Sequence, residues 1–299
     1  MTIIVPEGET LNFGDIRAEL DTLLEAVSNT LEREWPHGYG AVDSPAIVIG
    51  HYRVCLIAFK TLRYFCADTP AVEPNRWPEF VVSAPPLVRS MLDALANIVY
   101  IFENLAARTV ELAKRGWKED HERAERYRAR YGNDAAWTAY FAELAAEEPR
   151  VRELLAIEHA EMQQLRRWPS LGKMISATDR DRLGDDSRRE FLTYLNDLFY
   201  REFSEDAHLS PPGLYRRSDV LLVERRLWTN RQREAVADKR THALMTAMGL
   251  MFAISAEFSH DLRLGLNERI VRLWTRVNFY SSILKELYEQ RYSTLLVAP

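Results

Sequence analysis

Apolar residues recur along nearly the whole chain at the three- and four-residue spacing of an α-helix, and hardly any segment alternates as a strand does. The first stripe follows Asp15, which suits an N-cap position, and ends before Trp35-Pro36. Ser44-Pro45 indicates a second helix over about 46–66, because proline is favoured at the first helical position. The pattern predicts an all-α fold.

A third helix is predicted to begin at Ser83-Ala84-Pro85-Pro86 and to run past Phe102, and its charges are unusual. Between Leu87 and Phe102 the only ionised side chains are Arg89 and Asp93, whereas a solvent-facing helix of that length carries several. We therefore expect a helix buried on most sides, with a polar seam that either holds a structural ion pair or lines a binding site. The polar seam consists of Arg89, Asp93, Asn97 and Tyr100.

Residues 108–167 are charged and rich in alanine, which predicts amphipathic surface helices. We expect breaks near Gly116, near Gly132-Asn133-Asp134 and near Pro149. No repeat or glycine-rich linker interrupts the chain, which favours a single helical bundle. The expected organisation is one helical domain over 1–299, with its core in 11–107 and 168–291 and a charged helical excursion over 108–167.

The last third of the chain predicts three helices and a buried centre. A helix from about Arg188 is expected to stop at Pro211-Pro212-Gly213, and further helices to span about 230–260 and 268–290. Ala243–Phe258 is almost entirely apolar, but it is shorter than the roughly 20 residues that a membrane-spanning helix needs. We predict a buried core helix there, with small residues that let another helix approach, and no membrane association.

Neither the N-terminus nor the cysteines indicate secretion. The first residues form neither a basic nor an apolar signal region. Cys55 and Cys66 are eleven residues apart in the second predicted helix, about 16 Å and too far for a disulfide. We expect two buried thiols in a cytoplasmic protein.

The net charge of −5 excludes a general attraction to nucleic acid or anionic lipid, but its distribution is uneven. Residues 1–50 carry nine acidic residues against two arginines, whereas residues 216–240 carry eight basic residues against four acidic ones. We expect the two segments to face each other or solvent, with RNA binding through 216–240 as the other interpretation. No phosphate-binding loop, dinucleotide motif or zinc motif is present, so we predict no cofactor.

Two Glu-x-x-His pairs leave a metal site open as an alternative. On a helix this spacing places carboxylate and imidazole on one face, and two such pairs with two further carboxylates can hold two iron ions. A di-iron carboxylate bundle would use the pairs Glu205/His208 and Glu257/His260.

Arg201, Ser204 and His208 end an aromatic-rich helix and share one face if that helix reaches His208. In a metal-independent ribonuclease, an imidazole can take the proton of the attacking 2′-hydroxyl while a guanidinium stabilises the phosphorane. A histidine near a helix C-terminus can equally serve as a cap. The three residues are therefore candidate catalytic residues.

Three short segments carry a family resemblance: Arg89-Ser-Met-Leu-Asp93, Trp168-Pro-Ser-Leu-Gly, and Phe203-Ser204-Glu-Asp-Ala-His208. They resemble the bacterial domain-of-unknown-function family 5677 over about 45–260, although Asp93 stands where that family has glutamate. The resemblance implies a helical bundle in which the first and third segments meet, and it implies no activity. A looser similarity to HEPN-type helical ribonucleases rests on Arg201 and His208.

Two functional hypotheses remain. The first is a helical binding or interaction module, with bacterial stress or defence systems as its suggested setting and another protein or a second copy as its partner. The second is a HEPN-type ribonuclease that uses His208 and Arg201. Arg89 and Asp93 are expected to approach Ser204 and His208 across the bundle.

Overall fold

The structure, a computed structural model, describes residues 13–34, 46–66, 77–157, 161, 164–178, 187–208, 210–224 and 227–292. No strand occurs among these residues, and the predicted all-α fold is confirmed. The helices are α1 (Phe13–Glu34), α2 (Ala46–Cys66), α3 (Trp77–Phe102), α4 (Leu105–Tyr131), α5 (Thr138–Leu154), α6 (Leu171–Ala177), α7 (Ser187–Tyr194), α8 (Arg201–Ala207), α9 (Pro211–Leu221), α10 (Asn230–Asp261), α11 (Asn267–Val277) and α12 (Ser282–Arg291).

The core surrounds the second half of α10. Every residue of Ala243–Phe258 except Leu244 is buried, and this segment packs against α2, α3 and α12. Gly249 lets α12 approach closely, because a Cβ at this position would collide with Cδ1 of Leu287. The predicted buried core helix is confirmed. Within the described ranges, no helix combines the length and the apolar character that a membrane crossing requires.

Prolines do not mark the helix boundaries that the sequence predicted. α3 begins at Trp77 rather than near Ser83, so Pro85 and Pro86 lie inside it, and α5 continues through Pro149. A proline inside a helix loses a backbone hydrogen bond, but the packing of α3 against α2 and α10 outweighs that loss. The predicted breaks at these positions are wrong.

Pro211 begins α9 instead of ending a helix. The side chain of Ser210 accepts a hydrogen bond from the backbone N–H of Gly213, as an N-cap does. Proline is favoured at the first helical position because the hydrogen bond it cannot donate has no partner there. The helix that precedes Pro211 ends at Ala207, shortly before the predicted stop, but α9 was missed.

Three other predicted boundaries also differ. α1 begins at Phe13, so Asp15 lies in the first turn and is not the N-cap. α4 passes through Gly116 without a break and ends at Tyr131, just before the predicted break at Gly132. The helix predicted over 268–290 is divided into α11 and α12 by a 3₁₀ turn at Asn278–Tyr280.

α4 and α5 form a hairpin from the charged excursion and contribute little to the core. Thr109 is the only buried residue assigned to α4, and α5 has none. Nδ1 of His121 lies 3.6 Å from the carboxylate of Glu148 between the two helices. Whether the chain is a single domain stays a prediction.

The first of the two cysteines belongs to the apolar core. Cys55 is fully buried in α2, and burial raises the pKa of its thiol to about 12. A thiol with such a pKa is not nucleophilic at neutral pH, so Cys55 acts as an apolar core residue. The side chain of Cys66 lies outside the described residues.

Candidate functional site

Arg89 of α3 contacts His208 at the C-terminal end of α8, 119 positions later in the chain. Its Nη1 hydrogen-bonds Nε2 of His208, and its Nη2 donates to the hydroxyl of Tyr200 at 3.1 Å. The guanidinium also lies over the Tyr200 ring, 5.3 Å from the centroid. The predicted approach of Arg89 to His208 across the bundle is confirmed.

The chemistry of the guanidinium determines the role of the His208 imidazole in this hydrogen bond. Arginine has only donors, so Nε2 of His208 is the acceptor. A nitrogen that already accepts from Arg89 is not free to take a proton from a substrate hydroxyl. In this arrangement the contact joins two helices and does not present a general base.

Asp93 adds only a weak ion pair to this contact. Its carboxylate lies 3.8 Å from Nε of Arg89, one helical turn away. Burial raises the pKa of Asp93, and this effect outweighs the charge of Arg89 and a hydrogen bond from Tyr200. Arg89 is therefore held mainly by the groups of α8 and the preceding turn.

The other half of the polar seam faces a different part of the molecule. Asn97 accepts a hydrogen bond from the indole N–H of Trp168 at 2.6 Å, and the Tyr100 ring packs edge-on against Trp168 with centroids 5.5 Å apart. The guanidinium of Arg108 lies 3.9 Å from the Tyr100 centroid. The seam is thus divided into two separate contacts within the protein.

A π-helical turn and a histidine sandwich position α8. Residues 195–200 form the π turn, which ends at Tyr200, the residue that contacts Arg89. On the other side of α8, His242 of α10 stacks on Phe199 and Phe203, with centroids 5.8 and 5.7 Å away. Sequence reasoning missed His242, because nothing in the pattern around it indicates which rings it meets.

A patch of large apolar side chains is exposed on α9 and the turn that comes after it. Tyr215 and Leu222 are each 82% exposed, and three leucines in the same stretch are between 42% and 65% exposed. We call this patch the α9 surface; it consists of Leu214, Tyr215, Leu221, Leu222 and Leu227. It overlaps the basic segment 216–240 that the sequence singled out.

No family model, curated protein or solved structure matches this chain. The resemblance to family 5677 therefore rests on its three short segments. In the structure the three segments meet at α3. Arg89 belongs to this helix, Trp168 donates a hydrogen bond to its Asn97, and His208 at the end of α8 contacts its Arg89.

The ribonuclease residues are not assembled around His208. The Arg201 side chain is 81% exposed, and its ion pair is with Glu205 at 3.4 Å. Ser204 contributes its backbone carbonyl, which accepts from the N–H of His208 at 3.0 Å. His208 has Arg89 as its cationic partner, so the structure gives no support to a joint role for Arg201 and His208.

The di-iron alternative is wrong, because the carboxylate of its second pair is already neutralised. Glu257 is 2% exposed and lies 2.7 Å from Arg188 and 2.6 Å from Arg291, so two guanidinium groups occupy its carboxylate. Among the residues that the structure describes, no group of three or more His, Cys, Asp and Glu side chains could hold a metal ion.

His260 is not a metal ligand either, and its predicted role in the di-iron alternative is wrong. Its Nδ1 lies 3.3 Å from Nη2 of Arg188 and 3.7 Å from the carboxylate of Asp261. A guanidinium at that distance repels a metal cation. In the other pair, Nε2 of His208 is directed at Arg89, and Glu205 pairs with Arg201. Each half of the expected centre therefore faces an arginine.

A buried ion network takes the place of that metal site. Arg188 of α7 bridges Glu257 and Asp261 of α10, at 2.7 and 2.6 Å, and Arg291 of α12 completes it. Burial alone would raise the pKa of Glu257, but the charges of Arg291 and Arg188 outweigh burial and lower it. Burial and the negative charge of Glu257 raise the pKa of Asp261, and together they outweigh the positive charge of Arg188. The network links three helices and was not predicted.

Two substitutions on α8 separate a structural contact from a catalytic pair. We expect His208→Ala to lower the free energy of unfolding by about 1 kcal/mol, because it removes the hydrogen bond that Arg89 makes across the bundle. Arg201→Ala is the control and should change stability by less than about 0.5 kcal/mol, because its pair is exposed. Urea unfolding followed by circular dichroism measures both, and equal effects would contradict the structural role.

Proposed function

We propose that this protein is a helical interaction module that binds another macromolecule through the α9 surface. The observation that carries the proposal is the exposure of Tyr215 and Leu222, each 82%, within one apolar patch. A single exposed leucine is ordinary, but several large apolar side chains exposed on one short helix are typical of interaction sites. They contribute little to the stability of the free protein.

Buried and hydrogen-bonded residues come directly after the α9 surface, which favours recognition. Trp228 comes directly after it, is only 4% exposed, and donates from its indole to the backbone carbonyl of Val223 at 2.9 Å. Thr229 and Gln232 form a capping box that begins α10. An ordered surface loses less conformational entropy on binding than a flexible one.

The Arg89–His208 contact fixes the end of the helix that comes before the α9 surface. It fixes the end of α8 on α3, and α9 begins three residues after His208. The corner between α8 and α9 is tight: a Cβ at Gly213 would collide with the backbone carbonyl of Glu205. Arg89 and His208 are thus assigned a positioning role in this proposal.

A photo-crosslinker tests whether the α9 surface is occupied. Replacing Tyr215 with p-benzoylphenylalanine in cells that make the protein should give a discrete crosslinked species, and adding Leu222→Asp should abolish it. Phe279, which is 68% exposed between α11 and α12, is the matched control position and should give none. Equal crosslinking at both positions, or none at Tyr215, would overturn the proposal.

The ribonuclease hypothesis has its own decisive measurement. If His208 and Arg201 act together, the wild-type protein cleaves single-stranded RNA without a metal ion, and His208→Ala and Arg201→Ala both abolish the cleavage. We expect no difference between the wild-type protein and either variant, because Arg89 rather than Arg201 contacts the imidazole.

A further inference from the structure

The spacing of side chains on the α9 surface matches that of a helix partner. Leu214 and Leu221 are seven residues apart, as are Tyr215 and Leu222, and α9 keeps helical backbone angles through Leu222. A spacing of seven residues is two helical turns, so the four side chains form two adjacent lines along one face. Such a face accepts the side chains of a second helix between its own.

The charge around the α9 surface favours an acidic partner. Residues 214–233 contain six arginines against two acidic residues, Asp219 and Glu224, in a chain whose net charge is −5. Arg231 and Arg233 are exposed at the start of α10, beside the patch. A second copy of the chain would oppose one set of arginines to another, whereas an acidic helix would pair with them.

Neither RNA nor a membrane fits this surface as well. Binding to single-stranded RNA relies on aromatic rings that stack on bases, and only Tyr215 among the five side chains is aromatic. Proteins at a membrane surface present tryptophan to the interface, but Trp228 is turned inward against Val236. The four leucines would gain little from RNA.

We infer that the α9 surface binds an acidic amphipathic helix of another protein. Leucine-type side chains of that helix lie between the lines of Leu214/Leu221 and Tyr215/Leu222, and its carboxylates pair with the arginines at the start of α10. This inference rests on the proposed function and specifies the chemistry of the partner.

A designed peptide tests the inference with the full-length protein. The probe is a fluorescent peptide of about three heptads, with leucine at the first and fourth position of each and glutamate or alanine elsewhere. The matched peptide has the same composition with the leucines moved out of the heptad positions. In fluorescence anisotropy we expect the heptad peptide to bind at least about tenfold more tightly than the matched peptide.

Variants of the protein locate the binding. Leu222→Asp should weaken binding of the heptad peptide by about thirtyfold, because it places a charge among the apolar side chains of the face. Arg231→Glu should weaken the same binding by about fivefold, because it replaces a positive charge with a negative one. Phe279→Asp is the control for an added surface charge and should leave binding unchanged.

Three results would overturn the inference: no binding of the heptad peptide, equal binding of the matched peptide, or no effect of Leu222→Asp. Oligouridine or phosphatidylglycerol vesicles that bind in its place, and are lost with Leu222→Asp, would assign the surface to RNA or lipid. In each case a crosslink at Tyr215 in the wild-type protein would leave the proposed function intact. Absence of that crosslink would contradict both the proposed function and the inference about the acidic helix.

Discussion

Glu257→Gln is expected to lower the free energy of unfolding by about 3–5 kcal/mol, the largest effect that the structure indicates for a single charge. Glu257 is 2% exposed and pairs with Arg188 and Arg291, so neutralising it leaves two buried guanidinium groups without their shared counter-ion. Arg188 keeps Asp261 at 2.6 Å, but Arg291 loses the carboxylate that it contacts at 2.6 Å. Urea unfolding followed by circular dichroism measures the loss.

Two companion variants make this result specific. Glu289→Gln breaks the exposed pair with Lys285 in the same region and should change stability by less than about 1 kcal/mol. Glu257→Leu combined with Arg291→Met removes both charges of one pair and should recover much of the loss, since apolar replacements of buried pairs are well tolerated. A loss below about 1 kcal/mol for Glu257→Gln would contradict the network.

The same network gives stability a defined pH dependence. The pKa of Glu257 is lowered from its ordinary 4.5, so its contribution is complete above that value and is lost as the pH falls through the lowered pKa. Asp261 has the opposite effect on the free energy of unfolding. Its raised pKa means that the folded chain binds a proton at Asp261 more readily than the unfolded chain does. The stability difference between the wild-type protein and Glu257→Gln should therefore stay constant from pH 7 to about pH 5 and narrow as the pH falls below 4.5.

Gly249→Val is expected to lower the free energy of unfolding by about 3 kcal/mol, because α10 and α12 touch where this residue has no side chain. Even a Cβ would collide with Cδ1 of Leu287 and lie 3.6 Å from Cδ2 of Leu284, and both leucines are fully buried. The helix axes would have to separate, which opens the core around Trp274, itself fully buried.

Gly116→Ala is the matched control for Gly249. Gly116 also lies inside a helix, but nothing is within 4 Å of a Cβ built there. Alanine is the better helix former, so this substitution should stabilise the protein by up to about 1 kcal/mol. If Gly249→Val lowers the free energy of unfolding by less in a Leu287→Ala background than in the wild-type protein, the close contact of Gly249 with Leu287 is confirmed. Equal losses in the two proteins would contradict it.

The sequence predicted those features that depend on local patterning. The bounds of α2 agree with those predicted from Ser44-Pro45 and an unbroken apolar stripe, and the burial of Ala243–Phe258 results from its composition. The approach of Arg89 to His208 was expected because the resemblance of two short motifs to family 5677 implies that they meet.

Features that depend on tertiary packing were not predictable in this way. Pro85 and Pro86 are typical of a helix start, but α3 begins at Trp77 and runs through both prolines. Arg188 and Arg291 look like surface residues until they are placed beside Glu257. The exposure of Leu222 is likewise set by which faces other helices cover, and no periodicity in one segment records that.

The length of α8 between the π turn at 195–200 and His208 is fixed by the contact with Arg89. Each residue added to or removed from an α-helix rotates the remainder of the helix by about 100°. A residue added within α8 would turn His208 away from Arg89 and carry the α9 surface around with it, whereas the wider π turn could lose one residue by becoming α-helical. The tip of the α4–α5 hairpin lies far along the chain from this contact, so related chains should differ in length there and keep the length of α8 constant.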